Sequence, residues 1–339
     1  MAILFLAEIA VQQLAAASYD NVVRFPQGGY GYVPHLRGAY RSIESGDLFA
    51  LETEEHGSRD VQRRWQRGAE GLDVVVVGNS FVDATALPVD KRFTSLLADG
   101  LQARVYNLGV QGQSLVNHVD RALYAENALA PDFVVLPVTV AADFIDTAQV
   151  TYRGTTRFNW TATSEGVSRE ITELGRGELL LRRLRAALRQ LWLVRIGQQL
   201  RNQFMQWATG GMAEETTACA IAVTPAPAGE AAYRLVEALI EDLHAVMGER
   251  LLVLLIPTEA QVSRPADTDC DWDRPERWAE RFSVQQQLRV VSLLPALRTK
   301  KEAVFYPGGH LNRRGHAVAA AVLANEIAPA KASAIDAAP

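Results

Sequence analysis

Several protein classes are excluded by what this chain lacks. Among 339 residues there are only two cysteines, Cys219 and Cys270, which fit two free thiols or one disulfide and do not decide the redox compartment. There is no excess of basic residues: 34 Lys and Arg against 39 Asp and Glu leave a net charge of −5, too mild to imply a nucleic-acid partner. The six histidines are scattered, and His310 with His316 lacks the spacing and acidic company of a zinc motif, so no metal is expected. No phosphate-binding loop is present, because Gly28-Gly29-Tyr30-Gly31 follows no buried strand, and no cofactor is expected. The Gly-x-Ser-x-Gly pentapeptide is missing too, since Val82 stands where its second glycine would be. Long apolar runs are also absent. The apolar start at Met1 is broken by Glu8 and by Gln12-Gln13, well short of the roughly 20 apolar residues of a membrane span. It has no basic flank of the kind a signal peptide carries.

What is present is enough apolar content for a full core, 48% of residues, arranged as strands alternating with helices. Strands are expected at residues 73–77, 104–108, 132–139, 250–256 and 290–294, with helices at 87–102, through about 129, at 229–248 and at 313–327. Such alternation predicts an α/β fold, a three-layer α/β/α sandwich on a mainly parallel five-stranded sheet with right-handed crossovers. Residues 1–70 read as an N-terminal helix and extended leader, 71–330 as the catalytic-type domain, and 331–339 as a frayed tail.

The run Val74-Val75-Val76-Val77 marks a strand buried on both faces, and it breaks into Gly78-Asn79-Ser80. Ligands of open α/β sheets bind outside the carboxyl ends of the strands, which places the Ser80 hydroxyl where chemistry is usually done. Serine also caps helices, so the motif alone does not distinguish a nucleophile from a cap. Near the far end of the chain, Gly309-His310-Leu311-Asn312 supplies a histidine in the loop before the last helix. The expected sheet topology brings Ser80, Gly112, Ala142 and His310 to loops at one sheet edge.

In the order of these blocks the chain resembles the SGNH (GDSL-type) hydrolases, a family of esterases and acyltransferases. Gly78-Asn79-Ser80-Phe81 stands in the place of the family's Gly-Asp-Ser nucleophile block, and Asn107-Leu108-Gly109-Val110-Gln111-Gly112-Gln113-Ser114 resembles its second block. The resemblance implies Ser80 as nucleophile, His310 as base, and the N–H groups of Ser80 and Gly112 as oxyanion donors. Asn79, Asn107, Asp143 and Asn312 are implied as supporting residues. The flavodoxin-like fold and an ester or acylated-glycan substrate follow from the same likeness, and location is left open between a bacterial cell envelope or periplasm and the cytoplasm. Relatives of this kind often begin with a membrane anchor, so the N-terminus reads either as the stub of one or as a short amphipathic helix packed on the domain.

Two departures bear on mechanism. Ala142 stands where the third block carries asparagine, and no aspartate precedes His310 by two or three residues. An acid would then have to come from elsewhere, with Asp267, Asp269, Asp271, Asp273 and Glu302 as unranked candidates. Two readings stand: a working ester hydrolase or O-acyltransferase, and a catalytically impaired carbohydrate- or partner-binding module on the same scaffold. Of the remaining polar residues, Asp83 is expected to cap the helix after Ser80, and His316 to be structural.

Residues 144–228 are expected to form a helical insertion or lid. Its stretch 176–207 holds seven arginines and no lysine, interleaved with leucines. This basic amphipathic pattern fits a helical pair with a solvated charged face, a lid, or a surface that meets anionic lipid or polysaccharide. Membrane association through it, or through the N-terminus, is therefore an expectation.

Overall fold

The structure, a computed structural model, describes residues 22–24, 30–32, 34–42, 44–59, 71–145, 148–153, 155–178, 180–181, 221–224, 229–264 and 269–336. The leader contributes two small antiparallel ladders. Strand β1 (Val22–Arg24) pairs with β2 (Tyr30–Tyr32), and β3 (Arg37–Arg41) pairs with β4 (Leu48–Glu52).

The core sheet is built from β5 (Asp73–Gly78), β6 (Arg104–Gly109) and β7 (Phe133–Thr139), with β11 (Leu251–Ile256) and β12 (Arg289–Ser292) following the insertion. All its pairings are parallel, in the order β12-β11-β7-β5-β6. The expectation from the valine run holds residue by residue: Val75 and Val77 enter one hydrophobic cluster, Val74 and Val76 the other, and none is exposed. Period-two side chains sent to two apolar layers are what a doubly covered strand requires.

One layer is made by α3 (Leu115–Leu129), α4 (Glu230–Met247) and α6 (Arg274–Gln286), which close on Val75 and Val77. The opposite layer is made by α2 (Phe93–Leu101), α7 (Leu294–Arg298) and α8 (Arg313–Asp336). Two short helices complete the set, α1 (Ser80–Asp83) after β5 and α5 (Glu259–Ser263) after β11. Counting only sheet strands in chain order, the arrangement is 2-1-3-4-5, the flavodoxin-like winding. Its switch point lies between β5 and β7, and a ligand crevice is expected there.

Two expectations need correction, and one pair of alternatives narrows. The insertion opens with a three-stranded antiparallel meander and not with helices: β8 (Ala148–Arg153), β9 (Thr156–Thr163) and β10 (Gly166–Glu173) pair in the order β10-β9-β8. β-branched and aromatic residues at Thr156, Phe158, Trp160 and Thr161 favour strand, and Gly166 at φ +150° turns the chain into β10. The closing helix α8 runs to Asp336 and not to 327, through an alanine-rich stretch of high helix propensity. Cys270 is disulfide-bonded, which removes the free-thiol alternative for it; Cys219 lies outside the described residues. So do residues 1–21 and most of the basic stretch 176–207, where the membrane expectations fall. No helix among the described residues is long and apolar enough to cross a membrane.

Candidate active site

The turn after β5 is fixed by close packing. Gly78 has φ +153°, and a Cβ there would meet Val82 Cγ2 at 2.3 Å. Its register partner Gly109 is equally confined, because a Cβ would meet the Asp83 nitrogen at 2.4 Å. Two glycines at the carboxyl ends of adjacent strands thus let α1 lie directly on the sheet edge. Asn79 caps this helix: its Oδ1 accepts the Phe81 N–H at 3.0 Å, and its Nδ2 donates to Thr139 Oγ1 at 3.1 Å. Ser80 therefore occupies the first helical position, held from both sides of the switch point.

His310 is brought to Ser80 from 230 residues away, with Ser80 Oγ and His310 Nε2 2.7 Å apart. Its loop is closed by a bridge between Phe305 and Leu311. Asn312 braces it, donating to the carbonyls of Ala303 and Phe305 and accepting the N–H groups of Arg314 and Gly315. The Phe81 ring packs on the imidazole with centroids 4.8 Å apart.

The other ring nitrogen, Nδ1, is hydrogen-bonded to the carboxylate of Glu44. This residue was not among the expected acids. It comes from the leader, on the β3–β4 hairpin loop, where Ser42 N–H donates to the Asp47 carbonyl, and Ser42 Oγ accepts the Ser45 N–H. Three of the carboxylates expected for the role are engaged elsewhere, Asp271 with Arg277, Asp273 with Arg264 and Arg298, and Glu302 with Arg314, while Asp269 is exposed at the surface. Asp267 lies outside the described residues. A carboxylate accepting from Nδ1 fixes the imidazole as the tautomer whose Nε2 is a lone-pair acceptor, facing the Ser80 hydroxyl.

The remaining expected residues fall into two groups. Ser80 N–H and Gly112 N–H have no acceptor among the described residues, whereas the Ala142 N–H is turned inward to the Thr139 carbonyl at 3.2 Å. Gly112 sits at φ +69° in an exposed turn. Asn107 and Asp143 are buried braces. Asn107 donates to the Val82 carbonyl and Thr94 Oγ1 and accepts the Gly109 N–H, so it ties the second loop to α1. Asp143 accepts both the N–H and the hydroxyl of Thr139, each at 2.7 Å, and burial raises its pKa.

Asp83 departs from the expected helix cap. Its carboxylate has no exposed surface and receives the Tyr32 hydroxyl at 2.5 Å, with Arg59 Nε at 3.4 Å. Burial, and then the Asp83 charge, raises the Tyr32 pKa well above its ordinary value, which keeps the phenol protonated as the donor. Ser58 Oγ donates to the Asn107 carbonyl, so the leader is pinned to α1 and to the second loop together.

These residues enclose a cavity of about 150 Å³ lined in part by Ser80, His310, Glu44, Gln111 and His316. At about 30 Å³ per water, it has room for a short acyl group or a few waters. It brings together the Ser80 hydroxyl, the His310 imidazole and the Glu44 carboxylate.

No family model and no curated protein matches the chain. Solved structures to which it is similar include a lipolytic protein of the G-D-S-L family from Veillonella parvula DSM 2008, at 10% identity and TM-score 0.39 over 75% of this chain and 97% of that one. Another is the acetyl xylan esterase AlAXEase, at 12% identity and TM-score 0.40 over 76% of this chain and 100% of that one. A third is a catalytic mutant of Axe2, an acetylxylan esterase from Geobacillus stearothermophilus, at 13% identity and TM-score 0.38 over 77% of this chain and 96% of that one.

Proposed function

We propose that this protein is a serine-dependent ester hydrolase or acyltransferase in which Ser80 is the nucleophile, His310 the general base and Glu44 the acid that orients it. The observation that carries this reading is the continuous chain from Ser80 Oγ through His310 Nε2 and Nδ1 to Glu44. A serine hydroxyl is a weak nucleophile until a base accepts its proton, and an imidazole held by a carboxylate is positioned and electrostatically prepared to do so.

In the proposed reaction, Ser80 Oγ bonds to the ester carbonyl carbon as its proton passes to His310 Nε2. The carbonyl oxygen becomes an oxyanion, received by the N–H groups of Ser80 and Gly112. The carbon–alkoxy bond then breaks, and the alkoxide leaves with the proton from His310. The acyl–Ser80 ester is finally attacked by water in a hydrolase, or by an acceptor hydroxyl in a transferase, again with His310 taking and returning one proton. An acylated glycan fits this chemistry, since it offers both an ester and acceptor hydroxyls.

The binding-module reading rested on Ala142 and on the missing acid before His310. Glu44 meets the second point, and Ala142 remains as a lost side-chain donor. Loss of one oxyanion donor costs on the order of 10²–10³ in turnover, so a slow enzyme is expected and not an inert one. Hydrolysis of 4-nitrophenyl acetate tests this: turnover should be lost on Ser80→Ala and on His310→Ala. Turnover that survives Ser80→Ala would rule the reading out.

A further inference from the structure

The loop after β7 offers no side-chain donor at Ala142, yet the acidic residue beside it is fully engaged. Asp143 lies in a tight turn, its own N–H and that of Ala142 both donating to the Thr139 carbonyl. Asp143 Oδ2 accepts the Thr139 N–H and the Thr139 hydroxyl, each at 2.7 Å. Because Oδ2 receives the N–H, it is an acceptor toward the hydroxyl as well, and Thr139 gives its single proton to Asp143. Thr139 Oγ1 is thereby left as an acceptor, and Asn79 Nδ2 donates to it at 3.1 Å. At the other end of the same amide, Asn79 Oδ1 accepts the Phe81 N–H at 3.0 Å. Asn79, Thr139 and Asp143 are 4%, 1% and 3% exposed, so water does not compete for these bonds. The donors run one way, from amide to hydroxyl to carboxylate, and the N–H groups of Phe81 and Thr139 fix the two ends. Position 79 must then accept from α1 and donate to β7, which an amide does and an ionised carboxylate does not. The asparagine that stands in place of the aspartate of SGNH hydrolases follows from this chain.

We propose that Thr139 is a positioning residue for the nucleophile: backed by Asp143, it holds Asn79 across the switch point, and Asn79 sets where Ser80 Oγ meets His310. Ser80 lies between Asn79 and Phe81, the two residues that the cap bond joins. A slack Asn79 therefore shifts Ser80 against an imidazole whose loop Asn312 holds independently. The loop after β7 serves the reaction by this route and not through an oxyanion donor at Ala142. The inference rests on the ester reading above and deepens it.

The test is a double-mutant cycle on 4-nitrophenyl acetate with Thr139→Val, which keeps the shape and removes the hydroxyl, with Asn79→Ala, and with the two together. Thr139→Val should lower kcat about 10- to 100-fold with KM little changed, because the reacting geometry and not substrate binding is disturbed. Thr139→Ser keeps the hydroxyl and should return most of that loss. In the Asn79→Ala background Thr139→Val should lower kcat by less than about threefold, since the residue it acts through is gone. Thermal denaturation checks that each variant is folded at the assay temperature, and Thr139→Ala replaces a valine variant that is not. Fluorophosphonate labelling of Ser80 is measured alongside. A folded Thr139→Val variant that turns over like wild type would overturn the inference and leave the ester reading standing. So would losses that multiply in the double variant, or a Thr139→Ser variant as slow as the valine one. A wild type that is neither labelled nor active would remove both.

Discussion

Glu44 changes the meaning of the two departures at the site. In the proposed mechanism Glu44 supplies the partner of His310 Nδ1 that the loop before the histidine lacks, which leaves Ala142 as the one departure. Glu44→Gln keeps the shape but offers the wrong hydrogen-bonding partner to Nδ1. It should lower kcat on 4-nitrophenyl acetate by about 10²–10⁴, less than Ser80→Ala, with little change in KM. Steady-state kinetics on the two variants checks this. Gly109 makes a separate stability prediction. A methyl group at 2.4 Å from the Asp83 nitrogen forces α1 off the sheet, so Gly109→Ala should cost about 1–3 kcal/mol by urea denaturation and displace Ser80 with it. Ser80 and His310 were legible in the sequence because each lies at a strand end or helix start that local pattern marks. Glu44 was not, because it lies in an aperiodic hairpin loop 266 residues from the histidine it serves.

Among the elements, β2, the β3–β4 hairpin and the residues after it act as a strap that carries Glu44 to the domain. Its anchors are Tyr32 and Arg59 on Asp83, Ser58 on the Asn107 carbonyl, and Arg121 donating to the His56 carbonyl. Tyr32→Phe leaves a buried carboxylate short of its nearest donor. It should cost about 1–3 kcal/mol and also lower turnover, because the strap holds the acid. Thermal denaturation and esterase kinetics on the same variant check both halves; loss of stability alone would mean that Glu44 is positioned without the strap. The sequence showed the strap only as an extended leader, since Tyr32, Ser58 and Arg59 follow no helix or strand period. The meander β8–β10 was missed for a related reason. Strand β10 is largely exposed and polar, so no alternation of apolar and polar residues announces it.

At the scale of the whole molecule, the parallel sheet was legible because its strands are buried on both faces and read as apolar runs. The winding then determines which loops meet, and the site follows from the switch point beside β5. The same burial makes stability depend on pH through His316. An unfolded histidine takes up a proton below about pH 6.5, while the folded ring refuses it until about pH 3. Stability from this group is therefore lost as pH falls through that window, by up to about 1.4 kcal/mol per pH unit. His118, buried and likewise lowered, acts in the same direction, while buried carboxylates whose pKa is raised, such as Asp143 and Glu54, oppose it. The difference between wild type and His316→Asn isolates the term: the variant should lose less stability between pH 6.5 and 4 in urea titrations.

The most direct measurement is intact-mass labelling of the folded protein by a fluorophosphonate probe, on wild type, Ser80→Ala, His310→Ala and Glu44→Gln. A single adduct on wild type, none on Ser80→Ala or His310→Ala, and labelling slowed by about 10² or more on Glu44→Gln is the expected result. A wild type that stays unlabelled while folded, or a Ser80→Ala variant that still takes the probe, would contradict an activated serine at this site.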